Sequence, residues 1–219
     1  HWFGGDGMVH AFHFENGKIS YLNRWSKTSK WLQERKAGKS LIDGLNPMNS
    51  DPQWNPEGSD GTANTNIIFH AGKLLALEEG HVPFELDPIT LESKGAYDYG
   101  GKLKSPMTAH PKIDPVSGDM YGFSYTAENF FSSKMSYFVI NSLGELKTYE
   151  EFEAPFASMV HDFMVTDQHI IFPIFPLTID FDRVVKGQSP IAWDPDKGTH
   201  VGVMPRNGSV ADIQWFDND

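Results

Sequence analysis

Apolar and polar residues alternate along most of this chain, in short runs broken by turn residues. VHAFHFENGKISYLNRW places such runs on both sides of Asn16-Gly17, the strongest short hairpin signal. TNIIFHAGKLLALEE repeats the arrangement around Ala71-Gly72, HPKIDPVSGDMYGFSY turns at residues 115–118, and SYFVINSLGELKTYEEF turns at residues 142–144. VTDQHIIFPIF and THVGVMPR add further strand-like runs. Val, Ile, Phe and Tyr fill these runs, as half-buried strands prefer. Helical signal is scarce. SKWLQERKAGK, residues 29–39 with Ser29 as a cap, reads equally as a helix or as a strand entering a Gly turn. Residues 180–188 read as one or two helical turns, and residues 47–61 as a polar loop. The pattern predicts an all-β fold: a sandwich, a barrel or a propeller. The turns recur at irregular spacing, so no clean repeat is read, and no linker divides the chain.

Composition narrows the classes. With 39% hydrophobic and 21% charged residues in 219, the chain carries enough apolar side chains for a core and is not a disordered one. It has no Cys, which excludes a disulfide scaffold and a thiolate metal site. A net charge of −11 argues against nucleic acid as a partner, since that binding runs on clustered Lys and Arg. The apolar stretch around residues 170–181 is interrupted by Pro173, Pro176 and Asp180, and is shorter than the roughly 20 residues a membrane span needs. The chain begins His1-Trp2-Phe3 without Met. A trimmed or partial sequence is therefore expected. Nothing resembles a signal peptide, and a cytoplasmic location is the expectation.

Three apparent motifs carry little chemistry. KAGKS, residues 36–40, has Gln33 where a phosphate loop needs its first Gly, so an ordinary basic turn is expected. GGDGM, residues 4–8, is not G-x-G-x-x-G and reads as a tight loop entering a strand. Ser158, His161 and Asp162 lie close in sequence but lack the G-x-S-x-G elbow of a serine hydrolase.

Nine histidines remain. His10 and His13 are three apart and would face opposite sides of a strand, which makes them poor chelate partners. His110 sits in SPMTAHPKIDP, before Pro111, and His161 in the apolar run FASMVHDFMV. By residue type alone each reads first as a satisfied core histidine and second as a ligand, because a buried imidazole needs a partner.

Around these histidines the sequence resembles the carotenoid cleavage oxygenase family. HWFGGDGMVHAFHFENGKISYLNRW is similar to its early F-x-G-D-G-M-V-H segment. GTANTNIIFHAGKLLALEEGHVPFELDPITLES, KLKSPMTAHPKIDPVSGDMYGFSY and ASMVHDFMVTDQHIIFP resemble three later blocks in order. The resemblance implies a seven-bladed β-propeller with a non-haem Fe(II) held by four histidines, and residues 1–219 as one incomplete propeller domain without internal boundary. His110 and His161 match two of the ligands. Glu79 matches a glutamate behind a ligand, where it would fix the imidazole tautomer. Thr65 matches a threonine beside the iron's open positions, and Phe3 a pocket-lining aromatic. Imidazole suits iron, and four neutral donors leave its full charge to act on dioxygen.

Two departures shape the expected function. The third and fourth histidines have no counterpart in the chain, so the isolated chain is expected to be inactive. Stilbene-cleaving members use a Lys and a Tyr near the phenol oxygen. Glu78 stands at the Lys position, and the Tyr region reads SLIDGLNP. This favours cleavage of a carotenoid or apocarotenoid C=C bond over a lignostilbene one, although ERKAGKS and GTANTN lean towards the lignostilbene branch. A non-catalytic propeller binding an apolar ligand or a protein is the rival class. The expected partners are a small apolar alkene and O2, with peripheral membrane contact for substrate uptake. The apolar segments 130–131 and 172–177 are expected either to line a tunnel or to pack in the interior.

Overall fold

Each tight turn read from the sequence joins a pair of strands. A computed structural model describes residues 4–42 and 50–218; Phe3 and part of the 47–61 loop lie outside them. The chain falls into two units, residues 1–98 and 99–219, and each is described by itself.

In the first unit, β1 (Met8–Glu15) and β2 (Lys18–Trp25) pair antiparallel, with Glu15 opposite Lys18. Asn16 and Gly17 take φ of 48° and 72°, the two positive values that a type I′ turn requires. Val9, Ala11 and Leu22 face a core with Ala63, Phe84 and Leu91. The opposite face of the ribbon carries Phe12, Phe14, Ile19 and Tyr21, all exposed. The Gly-rich stretch before β1 is a loop, as expected. Gly7 donates its N–H to the Thr62 carbonyl at 2.9 Å, and a Cβ there would lie 2.0 Å from the Ala63 carbonyl oxygen, so only glycine fits this approach.

Residues 29–39 resolve to helix. α1 spans Ser29–Ala37, and its cap is Thr28 rather than Ser29: the Thr28 Oγ1 accepts from the Trp31 N–H at 3.2 Å. Gly38, at φ 69°, ends it in the left-handed region. KAGKS is therefore a helix C-terminus. Its outward carbonyls repel anions, which disposes of the phosphate-loop reading. β3 (Asn66–His70) and β4 (Lys73–Leu77) form a second two-residue hairpin through Ala71 and Gly72. β5 (Phe84–Leu86) and β6 (Ser93–Ala96) complete a four-stranded antiparallel sheet in sequence order.

The second unit repeats this plan. β7 (Lys112–Ile113), β8 (Met120–Ser124), β9 (Lys134–Ile140) and β10 (Leu146–Glu153) form one antiparallel sheet. β11 (Met164–Val165) and β12 (His169–Ile174) belong to another. The chain then makes a small hairpin, β13 (Leu177–Ile179) and β14 (Ile191–Trp193), around α2 (Phe181–Val185). Asp180 caps α2 by accepting from the Asp182 N–H at 2.8 Å, so residues 180–188 hold one short helix. β15 (Thr199–Pro205) and β16 (Gln214–Asn218) return to finish the sheet in the order β11-β12-β15-β16. These four-stranded antiparallel sheets have the form of propeller blades. Phe123, Tyr137, Phe163, Ile170, Phe172 and Met204 fill the core of this unit.

A polar tie joins its two large sheets. Arg206, just after β15, donates to Asp114, just after β7, and to the Tyr121 hydroxyl at 3.1 Å. Asp114 also accepts from the N–H groups of Ser117 at 2.8 Å and Val116 at 2.7 Å. The Ser117 N–H, then Arg206 and then the Val116 N–H hold its pKa down to about 2, against an ordinary 3.8. A carboxylate depressed on folding contributes stability above its unfolded pKa, and that contribution is lost as pH falls through the folded value. Asp114→Asn is thus expected to lower stability at neutral pH and to flatten the acid-side decline between about pH 4 and 2. Urea midpoints measured across that range check this; parallel curves for the two proteins would contradict it.

Candidate metal centre

His110 and His161 enter on two loops, each just before the first strand of its sheet, which lies at that sheet's edge. Met107, Thr108 and Ala109 are buried and anchor the first loop. The Thr108 N–H donates to the Phe123 carbonyl at 2.8 Å, and its Oγ1 accepts from the His110 N–H at 3.0 Å. On the second loop Val160 and Phe163 point into the core, while the Met159 N–H donates to the Leu177 carbonyl at 2.9 Å. This leaves His161 and Asp162 on the outward side.

His161 is therefore exposed and His110 half-buried, so neither is the core histidine that residue type favoured. Their Nε2 atoms lie 3.0 Å apart, with ring planes at 71°. Two neutral imidazoles at that distance share a proton as N–H···N. The same distance suits adjacent ligands of one ion, since metal–nitrogen bonds of about 2.1 Å at a right angle separate the nitrogens by about 3.0 Å. Two imidazole nitrogens are a donor set that fits a borderline divalent ion such as iron. Among the described residues no group of three or more His, Asp or Glu gathers around an ion. The pair is part of a donor set and does not make a whole one.

Beside His161 opens a cavity of about 430 Å³, lined by Met159, Met164, Phe175, Leu177 and Trp193, with Asp162 at its wall. Residues 172–177 divide between the core and the cavity. Phe172 and Ile174 are buried in the core, whereas Pro173, Phe175 and Leu177 face the cavity. Phe130 and Phe131 pack against the core instead, and Phe131 meets Phe181 edge-on at 5.2 Å.

The other expected site residues lie in the first unit. Thr65 is exposed at the start of β3. Its N–H donates to the Leu77 carbonyl and its hydroxyl to the Asn64 side chain, each at 2.9 Å. Glu79 is half-buried just past β4. Its neighbour Glu78 hydrogen-bonds His81 and accepts from the Gly80 N–H at 2.9 Å. Burial alone would lower the His81 pKa, but the Glu78 hydrogen bond and charge outweigh it and raise the value. Phe3 lies outside the described residues. Ser158 is no nucleophile: its hydroxyl donates to the Phe175 carbonyl at 2.7 Å and ties β13 to its loop. Sequence reading missed Met159, Met164 and Trp193 as cavity walls. Nothing in a lone Trp on a short strand could have signalled it.

Known proteins match the chain over almost its whole length. The family model described as retinal pigment epithelial membrane protein (RPE65) matches residues 1–219. The isoeugenol monooxygenase of Pseudomonas putida is 43% identical over 97% of the chain and 45% of its own length. Carotenoid cleavage oxygenase 1 of Neurospora crassa is 37% identical over 99% of the chain and 41% of its own length. The crystal structure of Pseudomonas brassicacearum lignostilbene dioxygenase superposes with a TM-score of 0.92 at 40% identity, covering 98% of this chain and 45% of that one. The chain thus spans less than half the length of these relatives, and its sheets are blades of their propeller fold. With the whole chain matched and the fold shared, it belongs to the RPE65 family of carotenoid cleavage oxygenases.

Proposed function

We propose that the complete protein is a non-haem Fe(II)-dependent dioxygenase that splits an alkene C=C bond into two carbonyl products. The observation that carries this reading is the approach of His110 and His161 to 3.0 Å at the mouth of an apolar cavity. Both units are read as parts of one propeller domain. His110 and His161 would hold the iron through their Nε2 atoms, each with its proton on Nδ1. Iron held there would bind and activate dioxygen. The cavity walls Met159, Phe175 and Trp193 would hold the alkene and keep water away from it, which fixes the double bond beside the reacting centre. One alkene and one O2 balance two carbonyl products, so no further reductant is required.

A phenylpropenoid or stilbene stands first as substrate. The relative named for isoeugenol is 43% identical, and the one named for carotenoids 37%. These identities support placing it ahead of the carotenoid substrate favoured from the sequence. The apocarotenoid reading keeps one supporting observation: Glu78 is hydrogen-bonded to His81 and, as a carboxylic side chain, supplies no cation to a phenolate. Incubating the complete iron-loaded protein with isoeugenol, a 4-hydroxystilbene and an apocarotenal, and identifying products by mass spectrometry, separates the two. Paired aldehydes from the first two substrates support the leading reading. Cleavage of the apocarotenal alone supports the second, and no carbonyl product from any of the three removes both.

A further inference from the structure

The two candidate ligands sit on separate sheets, and something must hold those sheets in register. β7 runs from just after His110 to just before Asp114, and β11 from just after Asp162 to just before Thr166. Arg206 joins the far ends of both. Its guanidinium donates to Asp114 past β7 and to the Thr166 carbonyl past β11 at 3.3 Å. It also donates twice to the Tyr121 hydroxyl, at 3.1 Å each, and stacks over that ring with its central carbon 4.7 Å from the centroid. The Arg206 and Asp114 side chains are 15% and 14% exposed. At the histidine ends a second ion pair spans the same strands, with Lys112 Nζ donating to Asp162 Oδ1 at 2.7 Å. The two short strands are thus tied to each other at both ends, and the imidazoles project from one end.

We infer that Arg206 is a positioning residue for the His110–His161 pair. Its planar fork, reaching three acceptors on two sheets, sets how far apart the two imidazoles stand. A lysine offers the charge but not the fork. The consequence for metal affinity rests on the metal reading proposed above; the consequence for imidazole spacing does not.

The test uses the complete protein with Arg206→Gln, Arg206→Lys and Tyr121→Phe. In crystal structures of the metal-free proteins, the Nε2 atoms of Arg206→Gln should stand further apart than in the parent. Anaerobic Fe(II) titration should show its affinity lowered about tenfold, the scale of losing a group behind the ligands. Arg206→Lys should fall between Gln and the parent. Tyr121→Phe keeps the ring and removes one oxygen, so a smaller change in the same direction is expected. A melting temperature that falls while spacing and affinity stay at parent values would make Arg206 merely structural and overturn the inference. If Arg206→Gln does not fold, unchanged spacing and affinity in Tyr121→Phe overturn it. His161→Ala runs alongside. Iron retained there sinks the metal reading, while the imidazole spacing in Arg206→Gln still decides the role of Arg206.

Discussion

Replacing His161 by alanine in the complete protein is expected to remove stoichiometric iron and, with it, alkene cleavage. His161 projects outward between the buried Val160 and the buried Phe163, and its Nε2 faces that of His110 at 3.0 Å. Changing a group that only orients a ligand costs roughly 10–100-fold in metal affinity. Deleting a ligand itself should therefore cost more than about 100-fold. The same change should leave the fold almost untouched, because exposed side chains away from caps and cores contribute within about 0.5 kcal/mol. Loss of metal at an unchanged melting temperature is the signature. Elemental analysis showing a full complement of iron in the variant would remove His161 from the donor set.

The second large effect is on stability. Phe172 is fully buried on β12. It is stacked on Phe163 with centroids 6.0 Å apart and tilted against Phe152 at 5.1 Å. It also meets Phe123 and Tyr137 edge-on, each at 6.2 Å. Phe172→Ala would leave a cavity among four rings that cannot all move in to fill it, and such changes cost about 3–5 kcal/mol. That is a large share of the 5–15 kcal/mol that holds a typical domain folded. Because Phe163 follows His161 and Asp162 directly, loosening its stack also loosens the loop that aims His161. A urea midpoint shifted by less than the equivalent of about 1 kcal/mol would mean that this core repacks more freely than its ring contacts imply.

The two losses differ in kind, and so does their legibility in the sequence. Phe172 could be placed inside from alternation alone. In HIIFPI the residues at even positions are buried, which turns Pro173 to the cavity. Asn16-Gly17 and Ala71-Gly72 announced their hairpins because those turns demand positive φ, a local requirement that few residues meet. The helix at Ser29–Ala37 was ambiguous for the opposite reason: Lys, Gln, Glu and Arg fill it, so no apolar stripe marks one face. Its cap at Thr28 depends on a side-chain rotamer that sequence does not state. The Ser158 hydroxyl shows the converse error, where residues close in sequence suggested a triad and the backbone gave the serine another partner.

Residue order alone thus determined the longer strands, their turns and the family, since each depends on spacing within a few residues or on matched segments. The tertiary structure decided that His110 and His161 meet. They are 51 positions apart in the chain, yet their Nε2 atoms lie 3.0 Å apart, brought there by two sheets that Arg206 and Lys112 bind across. Neither cation stands within three residues of its acidic partner on the facing strand, where a sequence pattern would reveal it. A distance between side chains on separate sheets follows from how the sheets pack, and packing is a property of the whole core rather than of any segment.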